Sequence, residues 1–238
     1  MDKWLNFKVD EFLFEGKKAI VICPETTEKH RRWLMKAEYF TAFQNAEKAL
    51  VEKGFHLAFL ENTTRWCIDE DLHRRARFQE FVKEKYKLSN KCSMVGMSAG
   101  GLISVKYAAL YPEKVSVLYL DAPVMNLLSC PLGLGNGRDY KEEFYKHTGL
   151  SLIELLNYRD HPIDKKDILL KNNIPIILVC GDSDDVVPFE ENGKVLYDYY
   201  IQNNGKIKLI LKAGCGHHPH CLEYPEPITE FIEQYSLV

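Results

Sequence analysis

Three stretches of this chain carry side chains able to do chemistry together. The first is GMSAG, Gly96 to Gly100, where a serine is bracketed by small residues. A serine on a tight strand-to-helix turn has its hydroxyl pushed out above the sheet, and glycines at the flanks let the backbone segments approach. The second is CGDSDDVVP, an apolar run emptying into Asp182, Asp184 and Asp185. The third is GCGHHPHC, which packs His217, His218 and His220 between Cys215 and Cys221. Nucleophile, acid and base in that order suit a hydroxyl attacking a carbonyl: the histidine takes the serine proton and the acid orients the imidazole. The competing readings of the serine are an inert turn residue and a phosphate-binding turn. No G-x-G-x-x-G is present, so phosphate binding is disfavoured.

Each choice within the stretches has a reason. Three carboxylates in four residues cannot all point inward, because like charges at short range destabilise one another. The G-x-x-D spacing favours Asp184 as the acid, with Asp182 second. Asp121, in YLDAP at the end of its strand, is a further rival, more simply read as a turn acid accepting backbone N–H groups. His217 follows Gly214 and Gly216, which let the loop bend back toward Ser98. A metal reading would draw on Cys215, His217, His220 and Cys221, but that spacing fits none of the common zinc patterns and Pro219 stiffens the loop. No metal and no organic cofactor are expected.

The elements that must hold these groups alternate. The sequence predicts a hairpin about Gly16 running into a strand at Lys18 to Cys23, then a helix from about Lys36 to Lys53 and a strand at FHLAFLE. A helix from Asp69 to Tyr86 and a strand at KCSMVGM follow, then a helix from Ala99 to Leu110. KVSVLYLDAP, IPIILVCGD and KIKLILKAG complete the strands, with a helix after each of the last two. Apolar strands separated by helices indicate an α/β fold with a mostly parallel sheet covered on both faces. The segment 124–173 breaks the rhythm with two short helices and reads as a cap-like insertion over the strand ends, within a single domain spanning 1–238.

Composition narrows the partners. A net charge of -3 argues against nucleic acid. No apolar run approaches the roughly 18 to 20 residues of a membrane span, and the acidic N-terminal stretch does not look like a signal peptide. Seven irregularly spaced cysteines fit reduced thiols in a cytoplasm. The expected partner is a small-molecule ester, with no nucleic acid and no membrane.

The stretches GMSAGG, CGDSDDVVPFEENG and GCGHHPHCLEYPEPITEFI resemble the α/β-hydrolase superfamily along essentially the whole chain. The last two look like a bacterial esterase-like subgroup. The resemblance implies Ser98 as nucleophile, Asp184 as acid and His217 as base, as the residues themselves suggest. It also implies an oxyanion hole with one donor at Ala99. Many such hydrolases place a His-Gly or Gly-Gly pair after the first core strand, whereas here VICPETTE follows, so Glu25 or Thr26 would supply the second donor, Pro24 having no N–H. The implied reaction is hydrolysis of carboxylic esters with small or medium acyl groups, such as acylated carbohydrates or plant-derived esters. Met125, Trp66 and His218 are candidates for contacting the substrate. The alternatives are a small serine peptidase of acylaminoacyl or prolyl type on the same fold, or a non-catalytic binding relative.

Overall fold

The apolar runs form a single sheet of nine strands in the computed structural model, which describes residues 3–236. The strands are β1 (Lys3–Trp4), β2 (Phe7–Phe14), β3 (Lys17–Cys23), β4 (Trp33–Lys36), β5 (His56–Leu60), β6 (Cys92–Met97), β7 (Val115–Asp121), β8 (Ile176–Gly181) and β9 (Ile207–Lys212). Their spatial order is β1-β2-β3-β5-β4-β6-β7-β8-β9. β1 to β3 are antiparallel and β3 is antiparallel to β5, while every pairing from β5 across to β9 is parallel. The β2–β3 turn is Glu15-Gly16 with φ of 48° and 77°, so both residues sit in the left-handed region that a two-residue hairpin favours.

Helices cover both faces. They are α1 (Asn45–Glu52), α2 (Asp69–Tyr86), α3 (Ala99–Leu110), α4 (Lys141–Thr148), α5 (Leu152–Asn157), α6 (Lys166–Lys171), α7 (Gly193–Gln202) and α8 (Glu226–Tyr235). Successive strand residues point to opposite faces, and the core divides accordingly. Met94, Leu118 and Leu178 pack with Leu72 and Val82 of α2 and with Leu196 of α7. Val95, Val117, Ile177 and Val179 pack on the other face with Leu50 of α1 and Ile228 and Ile232 of α8. α3 is apolar nearly all round and is buried over almost its whole length, as such a helix must be.

The sequence expectation fails most plainly at the first helix, and it misses α6. The helix predicted from about Lys36 begins only at Asn45, and Trp33–Lys36 is a strand lying between β5 and β6. Tyr39 and Phe43 have φ of 52° and 47°, which no α-helix accommodates. Lys36 is fully buried and its ammonium lies 2.6 Å from the Glu47 carboxylate. A buried charge of this kind must be paired, and the pair ties β4 to α1. Between β7 and β8 the chain leaves the sheet for residues 122–175, which carry α4, α5 and α6.

Candidate active site

Ser98 occupies the single residue between β6 and α3, with φ 51° and ψ −120°. Such a conformation costs on the order of 1–3 kcal/mol outside glycine and persists only where the surroundings hold it. Here the Ser98 N–H donates to the Asp121 carbonyl at 2.9 Å, and its own carbonyl accepts from Gly101 at 2.9 Å and Val124 at 3.0 Å. The glycines around it are needed for space. A Cβ on Gly96 would lie 2.6 Å from the Gly100 carbonyl oxygen, and one on Gly101 would lie 2.4 Å from the Pro123 Cβ. Gly100 is less constrained, its nearest neighbour being the Glu38 Cβ at 3.3 Å.

The other two groups arrive from the ends of β8 and β9, at the same sheet edge. His217 Nε2 lies 3.1 Å from Ser98 Oγ, and His217 Nδ1 lies 2.8 Å from Asp184 Oδ2. An ionised carboxylate only accepts, so the His217 Nδ1–H donates to Asp184 and Nε2 is left with the lone pair that faces the serine. Asp184 Oδ1 accepts from the N–H groups of Val186 (2.9 Å) and Val187 (2.8 Å). Burial pushes the Asp184 carboxyl up, but the bonds from His217 and these two amides outweigh it and leave it below the usual carboxylate range. Gly181 lets the two loops touch, since a Cβ there would be 2.1 Å from the Cys215 carbonyl oxygen.

The rival acids have other occupations. Asp182 is exposed and caps the loop, accepting from the Gly214 N–H at 2.7 Å. Asp121 is buried and accepts from the Cys221 N–H at 2.6 Å and from His220 Nδ1 at 2.7 Å. It therefore anchors the far end of the histidine loop. His218 is exposed and stacks on Phe43, with ring centroids 5.4 Å apart. Burial, and then the flanking His220 and His217 imidazoles, lower its pKa from 6.5.

Above Ser98 is a cavity of about 550 Å³, lined among others by Tyr39, Trp66, Tyr140, Arg138, His217 and His218. Ala99, the first residue of α3, borders it, so the positive end of that helix faces the serine. Trp66 lines the cavity but is largely buried, its Nε1–H donating to Glu143 at 3.1 Å and its ring packing edge-on against Phe144. Arg65 lies over the Trp66 and Tyr140 rings at 4.9 and 5.0 Å and pairs with Glu143.

Three sequence assignments are corrected. Glu25 and Thr26 do not approach Ser98; they border a separate depression with Leu5, Phe7 and Gly54. The reason is topological: β3 runs antiparallel to β5, so its C-terminal end lies at the sheet edge opposite Ser98. Met125 is fully buried and is not among the cavity-lining residues; its backbone N–H is held by Asn192 Oδ1 at 2.9 Å.

The backbone that does reach the serine turn follows β4. Ala37 continues the pairing to β6, donating to the Val95 carbonyl at 2.9 Å, and Glu38 packs on Gly100. Arg75, fully buried on α2, donates to the carbonyls of Ala37 and Leu60, both at 3.2 Å, and Asn62 donates to Ala37 at 2.7 Å. Tyr39, next along, lines the cavity. The signal that marks this loop in the sequence is the apolar triplet Trp33-Leu34-Met35 between charged residues, too short to stand out beside the helix-like spacing that follows.

The sequence profile described as the prolyl oligopeptidase family matches residues 49–235. The acylamino-acid-releasing enzyme of Mus musculus is 26% identical over 143 residues, 58% of this chain and 19% of that protein. The chain spans about a fifth of the length of the curated relatives it matches. Among solved structures, the Pyrococcus horikoshii acylaminoacyl peptidase superposes with a TM-score of 0.72 at 12% identity, covering 96% of this chain and 42% of that one. Est1E from Butyrivibrio proteoclasticus superposes with a TM-score of 0.64 at 17% identity, covering 96% of this chain and 97% of its own. At these identities the solved structures speak to the fold, and with the strand order they show it to be the α/β-hydrolase fold.

Proposed function

The chain belongs to the prolyl oligopeptidase family, and on that premise we propose that it is a serine hydrolase that splits acyl bonds of small molecules through an acyl-enzyme on Ser98. The observation that carries this is the array Ser98 Oγ–His217 Nε2–Asp184, with separations of 3.1 and 2.8 Å. His217 takes the serine proton as Oγ attacks the carbonyl carbon, and Asp184 holds the tautomer and stabilises the imidazolium. The Ala99 N–H serves as one oxyanion donor, and the loop after Lys36, where Tyr39 lines the cavity, takes the place of Glu25 or Thr26 as the source of the second once the Tyr39 N–H turns away from Glu38 Oε1, to which it donates at 3.3 Å; a well-placed donor of this kind contributes roughly 3 to 4 kcal/mol. Collapse of the tetrahedral intermediate returns the proton to the leaving group, and water, activated by the same histidine, frees the acid.

Of the two bond types, the family match and the peptidase relatives favour an amide in a short or N-acylated peptide over the carboxylic ester expected from the sequence. Ester hydrolysis is the second reading, favoured by the near-complete mutual coverage with Est1E and by the esterase-like motifs. Trp66, Tyr140 and the exposed His218 line the cavity with Ser98, which supports them as substrate contacts, and a reduced cytoplasm is the setting that suits the seven free thiols.

The test pairs one acyl group with two leaving groups: acetyl-alanine p-nitroanilide and acetyl-alanine p-nitrophenyl ester, with wild type and Ser98→Ala. Turnover of either compound that disappears in Ser98→Ala supports the serine mechanism, and anilide turnover assigns the peptidase reading. Ester turnover alone assigns the second reading. Wild-type turnover that survives in Ser98→Ala rejects the assignment of the nucleophile.

A further inference from the structure

The loop after β9 holds more imidazole than acyl transfer needs. We propose that His217, His218 and His220 form a binding site for a zinc-class divalent ion, and that occupancy switches the serine off. The donor atoms of these three residues lie within 4.8 Å of one another. The sequence reading disfavours a metal, and the set it weighs, Cys215, His217, His220 and Cys221, is not the one that forms here: Cys221 packs in the core, and among the described residues it is the three imidazoles that converge.

Two of the three are prepared in the way metal-binding histidines are. His217 Nδ1 faces Asp184 at 2.8 Å, and His220 Nδ1 faces Asp121 at 2.7 Å. A carboxylate on one ring nitrogen fixes the tautomer and makes the other nitrogen a better ligand. His217 already has a use for its Nε2. His220 does not: its Nε2 is buried with no hydrogen-bond partner, although its side chain is only 3% exposed. An orphaned buried nitrogen needs a reason to persist, and a metal ion supplies one.

The rings already meet edge to face, with centroids 4.8 to 4.9 Å apart. Nitrogens around a tetrahedral zinc stand about 3.3 Å apart, given zinc–nitrogen bonds of about 2.0–2.1 Å, so the triangle must contract. His218, exposed and resting on Phe43, is the member free to move. Imidazole donors suit zinc and its neighbours among divalent transition metals, and three protein ligands leave a fourth position for water. The consequence is direct: an ion on His217 Nε2 occupies the lone pair that otherwise accepts the Ser98 proton. Inhibition rests on the proposed function; binding does not.

The experiment is calorimetric titration of ZnCl2 into the metal-stripped, reduced protein. Wild type is compared with His220→Gln, His218→Ala and Cys215→Ser, the last because Cys215 is a half-buried thiol nearby. In parallel, a fluorophosphonate probe reports Ser98 reactivity with and without zinc. The expected result is one ion per chain in wild type and Cys215→Ser, bound at least tenfold more weakly by each histidine variant. Zinc blocks labelling and EDTA restores it. If His220→Gln fails to fold, His218→Ala, at an exposed position, decides alone. The proposal is overturned by the lack of a saturable site, by a site indifferent to both histidines, or by one that Cys215→Ser removes. Stoichiometric binding that leaves labelling unchanged overturns the switch. A protein whose Ser98 never labels fails the functional reading instead, and the isotherms still judge the site.

Discussion

At the scale of single residues, the charge on Asp184 has two separable duties. It orients His217, and its other oxygen holds the turn through Val186 and Val187. Asp184→Asn keeps an oxygen for the turn but presents an amide to an Nδ1 that needs an acceptor, favouring the wrong tautomer. The expected outcome is a loss of about 10³- to 10⁴-fold in kcat with the fold retained, measured as turnover of the better substrate beside a circular-dichroism melt. A small loss in kcat would mean that Asp184 is there for the loop alone. Ser98, Asp184 and His217 were all legible in the sequence, because each follows an apolar run and the turn residues around each are small. The second duty of Asp184, and the pairing of Asp121 with His220 across 99 positions, were not. Contacts between residues that far apart leave no local pattern to read.

Elements position these residues through close backbone approach, and the glycines show where that approach is tightest. The G-x-S-x-G pattern points to Gly96 and Gly100, yet beside Gly96 it is Gly101, not Gly100, that is tightly held, wedged against Pro123 at the start of the segment after β7. Gly101→Ala is expected to destabilise by about 1–3 kcal/mol as an overpacked core position does. Gly100→Ala is expected to change stability by less than about 1 kcal/mol, helix propensity offsetting a modest contact. Urea midpoints of the two variants measure this, and a larger loss at Gly100 than at Gly101 would contradict it. β4 gives the same lesson from the other side. Trp33–Lys36 is only four residues long, all four buried. Their strand character comes more from hydrogen bonding to β5 and β6 on either side than from their own propensity, which only Trp33 clearly favours. Without β4, the backbone that lies beside the serine turn is sought after β3, on the wrong edge of the sheet.

For the molecule as a whole, buried ionisable groups set the range of pH it tolerates. His56, at the start of β5, is buried with an unpartnered Nδ1, and burial together with the charge of Arg31 lowers its pKa from 6.5 to about 4. The neutral form is therefore favoured in the folded state. The unfolded chain binds the extra proton first as pH falls, so stability is full above about 6.5 and declines through the window down to about 4. The decline is expected to amount to on the order of 2 kcal/mol for this group, and unfolding in urea at pH 7.5 and pH 5 measures it. His56→Leu should flatten that dependence; a variant whose decline matches wild type would place the acid sensitivity elsewhere.

The sequence by itself determined the alternation of strands and helices, the parallel core of the sheet and the order Ser, Asp, His. All of these are written in local periodicity, and each strand end carries its functional residue within a few positions. Tertiary structure alone decided which strand lies beside β6, and hence that the backbone after Lys36, rather than that after Cys23, meets the serine turn. It alone also turned three histidines within four residues into three converging donors with different partners. Both outcomes depend on pairing between segments distant along the chain, where burying a polar group is costly unless it finds a partner there.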